Sequence, residues 1–245
     1  MPSVTPDKFD AVLFDLDGVI TATAKIHASA WKQAFDEFLK KRARGQDFKP
    51  FDQQSDYEEY VDGMPRYDGA QKFLESRHID IPHGSPDDPP DKETVCGIAN
   101  HKNKLFEEAL KTESVDVFEG TVAWIRHLRE VGIKTAVVSS SAHCKAILKN
   151  AGLSDLFDAR MDGDIANQLQ LKGKPAPDTY LKAAEMVNAD AKRAVVVEDA
   201  LAGVESGRNG GFGLVIGVDR KHDADALKQH GADIVVTDLR EMLSR

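Results

Sequence analysis

From Val117 onward the sequence returns to one pattern: a stretch with helical spacing, a glycine, then a short apolar run rich in β-branched residues. Thr121–Val131 leads through Gly132 into Ile133–Val138, and Ala142–Ala151 ends at Gly152. Thr179–Val187 precedes Ala194–Val197. Leu201–Asn209 leads through Gly210-Gly211 into Leu214–Val218, and Ala224–His230 through Gly231 into Ile234–Val236. A glycine just past a helix supplies the left-handed residue that turns the chain back. Strands alternating with helices require right-handed crossovers and form a parallel sheet covered on both faces. Ala11–Phe14 reads as one more buried strand. The expected fold is α/β, with a Rossmann-like parallel sheet core and no sequence repeat behind the rhythm.

The stretch 24–114 breaks the pattern. It holds no β-branched strand run. Trp31, Ala34, Phe35, Phe38 and Leu39 fall at helical spacing, as do Phe73 and Leu74, and then Leu105, Phe106 and Leu110. Asp80–Pro90 is rich in Pro, Asp and Gly and reads as a surface loop. Residues 1–23 and 115–245 are thus expected to form the α/β core, with 24–114 an inserted helical domain. An insertion after the first strand leaves the sheet at the carboxyl ends of its strands, where open α/β sheets bind ligands.

Charge narrows the partners. The 245 residues carry 41 acidic and 32 basic side chains, a formal charge of −9. Such a chain is poorly suited to sequence-independent nucleic-acid binding, which needs Lys and Arg to displace counterions, or to docking on an anionic membrane. No run reaches the roughly 18 to 20 apolar residues of a membrane span. The first ten residues lack the apolar stretch of a signal peptide. Cys96 and Cys144 stand far apart with no CxxC, which fits a reducing cytoplasm better than a disulfide framework. Without heptads or an exposed apolar stripe, a monomer is expected.

The chemistry gathers at strand ends. Phe14-Asp15-Leu16-Asp17-Gly18 places two carboxylates where the first strand leaves the sheet. Neighbouring carboxylates repel unless a cation sits between them, and hard oxygen ligands beside a phosphate suit Mg2+. An Asp in such a place is equally a turn former. Ser139-Ser140-Ser141 follows the next strand. A hydroxyl there, with free N–H groups at a helix start, makes a phosphate cradle or a simple N-cap. Lys174-Pro175 offers a cation held beside a proline, and Glu198-Asp199 a second acidic pair.

In order and position, Asp15-x-Asp17-Gly18-Val19, Ser139, Lys174-Pro175 and Glu198-Asp199 resemble the four motifs of the haloacid dehalogenase-like phosphotransferase superfamily, over nearly the whole chain. The helical insertion resembles that superfamily's cap. Within it, the Thr21–Ala24 stretch with His27 and Trp31, the Gly63-Met64-Pro65-Arg66 loop and Lys102-Asn103 are similar to the β-phosphoglucomutase branch. Where that branch often has Lys or Arg then Asn after the Ser-x-Ser, Ala142 and His143 stand here.

The resemblance implies a mechanism. Asp15 is the nucleophile and forms an aspartyl-phosphate. Mg2+ is held by Asp15, the Asp17 carbonyl and Asp199, with Glu198 a further ligand. Lys174 and Ser139 balance and hold the transferring group. Asp17 is the general acid/base, which needs its carboxyl pKa raised, by closure of the cap. Arg66 is the candidate for the second phosphate, with Ser141 opposite and His143 assisting. An ion pair is the alternative for Arg66, and a core or hinge role for His27. Trp31 is a substrate-binding candidate that reads more as packing than as sugar contact, and Lys102 is a further substrate-binding candidate, with a solvated face shared with His101 and Lys104 as its alternative.

Three functions are compatible with these residues. One is a mutase interconverting β-glucose 1-phosphate and glucose 6-phosphate through glucose 1,6-bisphosphate. A second is a sugar-phosphate phosphatase using the same aspartyl-phosphate. A third is a non-enzymatic binding protein, against which the intact charged set argues. A cap site for a second phosphate favours the first.

Overall fold

The central strands are apolar up to the carboxylates that end two of them, because they are covered on both sides. In the computed structural model, which describes residues 3–45, 47–112 and 115–244, β1 (Ala11–Asp15), β4 (Ala194–Glu198) and β5 (Leu214–Val218) are buried at every residue. With β2 (Lys134–Val138), β3 (Ala159–Met161) and β6 (Ile234–Val236) they form one six-stranded sheet in the order β3-β2-β1-β4-β5-β6. Every pairing is parallel. Chain order reverses on either side of β1, so the crevice that this topology opens lies at the carboxyl ends of β1, β2 and β4.

The pleat sends alternate residues to opposite faces. Leu13, Val138 and Val196 pack with Tyr180, Ala183 and Ala184 of α7 (Asp178–Met186) and Val204 of α8 (Leu201–Asn209). Phe14 points the other way and meets Trp124 of α4 (Glu119–Glu130) edge-on, ring centres 5.4 Å apart. Both rings are fully buried. Short helices α5 (Cys144–Asn150), α6 (Gly163–Gln168) and α9 (Ala224–Gln229) complete the layers. The glycines expected to end helices do so: Gly132 and Gly152 take φ of 86° and 69°, conformations that a Cβ disfavours.

Contacts divide the chain into two units, Met1–Ala22 with Val115–Arg245, and Thr23–Ser114. The second is built on α1 (Ala24–Ala43), α2 (Arg66–Ser76) and α3 (Val95–Thr112), with a single π-helical turn at Tyr57–Val61. Its core is aromatic. Phe35 lies against Trp31 at 4.9 Å, Phe51 at 5.2 Å and Phe73 at 4.1 Å between ring centres. Phe35→Ala should therefore cost about 3–5 kcal/mol, read as the shift in the denaturation of this unit. The loop expected over 80–90 is largely exposed, but Asp88 within it is buried.

The two connections between the units leave the core side by side. Thr21 and Val117 form an antiparallel bridge, and the Ala22 N–H donates to the Asp116 carbonyl at 2.9 Å. No helix among the described residues is long and apolar enough to cross a membrane.

Candidate active site

Asp15 is the last residue of β1 and Glu198 the last of β4, with Asp199 next to it. Parallel pairing of these two strands sets the three carboxylates side by side: one oxygen from each lies within 4.8 Å of the others, and all three residues are buried. Lys174 is buried among them and forms ion pairs with Asp15 and, at 2.5 Å, with Glu198. Its peptide bond to Pro175 is cis. The Tyr180 hydroxyl donates to Glu198 Oε1 at 2.7 Å, and its ring lies 5.2 Å from the Lys174 ammonium. Asp17 follows β1, and its Oδ2 accepts from the Ser139 hydroxyl at 3.5 Å, the outer limit for such a bond. Ser139 is buried after β2.

The electrostatics follow from one cation among several acids. Burial pushes the Asp15 carboxyl well above the usual carboxylate range; Lys174 pulls it down, and Glu198, Asp17 and Asp199 push it up again. Burial alone would lower Lys174, but Asp15 and Glu198 outweigh it and hold the ammonium charged. Burial, then the charge of Glu198, keeps the Tyr180 hydroxyl protonated, so it remains a donor. The cluster holds more negative charge than Lys174 balances. An oxygen-rich, buried, under-compensated group fits a hard divalent cation. Glycines let the carboxylates approach the backbone this closely: a Cβ on Gly18 (φ 88°) would collide with the Asp199 carboxylate, and one on Gly203 with that of Glu198.

Ser139 needs one correction. The expected helix start beside it is absent, because α5 begins only at Cys144. The N–H groups of Ser141 and His143 are occupied as well. They donate to the hydroxyls of Ser139 at 3.1 Å and Ser141 at 3.2 Å, residues two places back. His143 is the N-cap residue of α5.

In the helical unit the expected residues fall into two groups. Lys102 is not part of a solvated face. It is buried, its Nζ donates to His27 Nδ1 at 2.7 Å, and it lies over the rings of Trp31 at 5.1 Å and Phe106 at 4.9 Å. Trp31 belongs to the aromatic core, and His27 stacks on Phe106 at 3.9 Å. Separately, Gly63 (φ 70°) turns the chain ahead of α2, where Arg66 is the first helical residue. Arg66 makes no ion pair among the described residues; it donates to Asn103 Oδ1 and to the Tyr67 hydroxyl, each at 2.8 Å.

A family model for haloacid dehalogenase-like hydrolases matches residues 9–211, which span Asp15, Asp17, Ser139, Lys174, Glu198 and Asp199. The chain belongs to this family. It is 46% identical over 243 residues to a β-phosphoglucomutase of Mycobacterium bovis, covering 97% of this chain and 93% of that protein. It is 27% identical to a phosphorylated carbohydrates phosphatase of Thermotoga maritima, over 93% and 94% of the two chains. The crystal structure of a β-phosphoglucomutase from Clostridium difficile shares the fold, with TM-score 0.75 and 24% identity over 95% of this chain and 92% of that one. Like these relatives the protein is an enzyme, and the family's chemistry is phosphoryl transfer.

Sequence reasoning missed two residues around the acidic cluster and one beside Arg66. Tyr180 was legible only as a helix residue; its hydroxyl matters because of where Glu198 lies. Arg220, after β5, donates from Nε to the Gly18 carbonyl at 2.7 Å and from Nη1 to Thr237 at 3.0 Å, and stacks 3.6 Å from the Phe118 ring centre. It thereby fixes the turn that carries Asp17. Tyr67 carried no signal except its place beside Arg66.

Proposed function

We propose that this enzyme is a mutase that interconverts β-glucose 1-phosphate and glucose 6-phosphate through an aspartyl-phosphate and glucose 1,6-bisphosphate. The observation that carries this reading is Arg66, a cation without a counter-charge among the described residues. A simple hydrolase has no use for a second phosphate anchor. The identity to the Mycobacterium bovis enzyme over nearly both chains supports the same reading.

The residues would act as follows. The 6-hydroxyl of β-glucose 1-phosphate attacks the phosphoaspartate of Asp15 while Asp17 takes its proton, which gives glucose 1,6-bisphosphate. With the bisphosphate in its other orientation, the Asp15 carboxylate attacks the C1 phosphorus, and the C1 oxygen departs with that proton from Asp17. Lys174 offsets charge on the phosphoryl oxygens, and Ser139 holds one of them. Glu198, itself held by Tyr180, keeps Lys174 in place. Mg2+ would be held by Asp15, Asp199 and the Asp17 carbonyl, with Glu198 beside it, and supplies charge neutralisation at the phosphoryl group. Arg66 holds the phosphate that is not being transferred, with Ser141 opposite and His143 assisting, and His27, Trp31, Gly63 and Lys102 remain further proposed substrate-binding residues. The substrate is a small sugar phosphate, and the compartment the cytoplasm.

Phosphorus NMR tests this directly. With β-glucose 1-phosphate, Mg2+ and a trace of the bisphosphate, glucose 6-phosphate should accumulate. Arg66→Ala should lower that rate about 100-fold, the worth of a lost charge-assisted contact to phosphate, and affect hydrolysis of an aryl phosphate far less. Free inorganic phosphate with equal losses on both substrates would establish the second reading, a sugar-phosphate phosphatase, which the Thermotoga maritima relative favours.

A further inference from the structure

Arg66 rests on neutral oxygens, and one of them is tied to a distant loop. The Tyr67 hydroxyl, which accepts from Arg66 Nη2, donates onward to Asn100 Oδ1 at 3.0 Å. The Asn100 amide donates to the carbonyls of Pro86 at 3.0 Å and Asp88 at 2.8 Å. That turn is itself fastened. Asp88 accepts from Lys92 at 2.6 Å, from the Thr94 hydroxyl at 2.8 Å and from the Ser85 N–H at 3.1 Å. Thr94 in turn accepts from the Gly97 N–H at 3.0 Å, at the start of α3. Asn100 and Asn103 lie three residues apart on α3, so they share a face and reach Arg66 by two routes. The Tyr67 ring adds a third contact, 4.8 Å from the guanidinium carbon.

We propose that Tyr67 and Asn100 are positioning residues that fix the Arg66 guanidinium for phosphate, with the 85–88 turn as their anchor. The inference rests on the proposed role of Arg66. A flexible arginine loses side-chain freedom when it clamps an anion, and one already held by acceptors loses less. The acceptors here are a hydroxyl and an amide, so they orient the fork without cancelling its charge. A carboxylate in either place would compete with the phosphate. Tyr67 suits the relay because its hydroxyl accepts from Arg66 and donates to Asn100 at once.

Tyr67→Phe removes one hydroxyl and keeps the ring. It should raise KM for β-glucose 1-phosphate about tenfold, with kcat changed by less than about threefold. In an Arg66→Ala background the same change should add less than about twofold, because the group it positions is gone. Asn100→Ala should show the same coupling. Thermal melting of each variant separates a folding defect from a binding one. Equal losses with and without Arg66, or a parent-like KM for Tyr67→Phe, would overturn the proposal. If the parent enzyme releases inorganic phosphate from the sugar phosphate instead of isomerising it, the mutase reading falls alone, and the same cycle is read on KM for hydrolysis of glucose 1,6-bisphosphate, which keeps a second phosphate for Arg66. If Arg66→Ala leaves KM unchanged for either reaction, both readings fall together.

Discussion

Asp15→Asn should abolish phosphoryl transfer. The amide is no nucleophile, and losing the nucleophile of a covalent mechanism costs on the order of 10⁴ to 10⁶ in kcat. The fold should survive the change. Asn has nearly the shape of Asp, and Lys174 keeps its ion pair with Glu198. Removing one carboxylate also relieves a crowded acidic cluster. The variant should therefore melt at or above the parent temperature while forming neither glucose 6-phosphate nor, in acid-quenched samples, any phosphorylated protein. Turnover retained within about a hundredfold of the parent would remove Asp15 from the nucleophile's place.

Lys174→Met should harm both activity and stability. Met fills similar space, but Asp15 and Glu198 are left buried without their cation. Breaking a buried pair from one side costs about 3–5 kcal/mol, which denaturant titration without divalent cation reads directly. Part of that loss should return when Mg2+ is added, since a bound cation compensates the same carboxylates. Activity should fall by about 10² to 10³ even at saturating Mg2+, because a preorganised positive donor has been removed from the phosphoryl oxygens. A variant as stable as the parent in the absence of metal would mean that the pairs contribute nothing to folding.

Most of the sheet was legible because its strands are buried on both faces and so form unbroken apolar runs. Leu214–Val218 and Ile234–Val236 were placed to the residue. The strand that escaped notice, Ala159–Met161, is three residues long at the sheet edge and contains Arg160, so it has no such run. Helix α6 that follows it has six residues and buries none of them. The acidic residues were legible because they sit at strand ends, where topology forces convergence; Lys174, in the loop between α6 and α7, was legible only through its place beside Pro175. For Lys102 the alternative of a solvated face fails: His101 and Lys104 beside it suggest exposure, but on α3 those neighbours point elsewhere, and His101 pairs with Glu37 while Lys102 is buried. Arg220 and Tyr180 left no trace because their roles depend on which backbone oxygen or carboxylate lies opposite, a fact of packing alone. The hydroxyl-to-N–H bonds after β2 escaped for the same reason: Ser-Ser-Ser is compatible with either a helix cap or a chain of turns.

The bridge between Thr21 and Val117 has a consequence for how such a protein diversifies. Ninety-odd residues depart and come back through one narrow doorway, so the entropy of joining the two ends is settled at the doorway and grows only slowly with whatever is spliced into it. The sheet that breaks and makes phosphate esters can host a longer insert, a shorter one or a bare hairpin without redesign. Selectivity can drift by exchanging the module while the chemistry stays where it is.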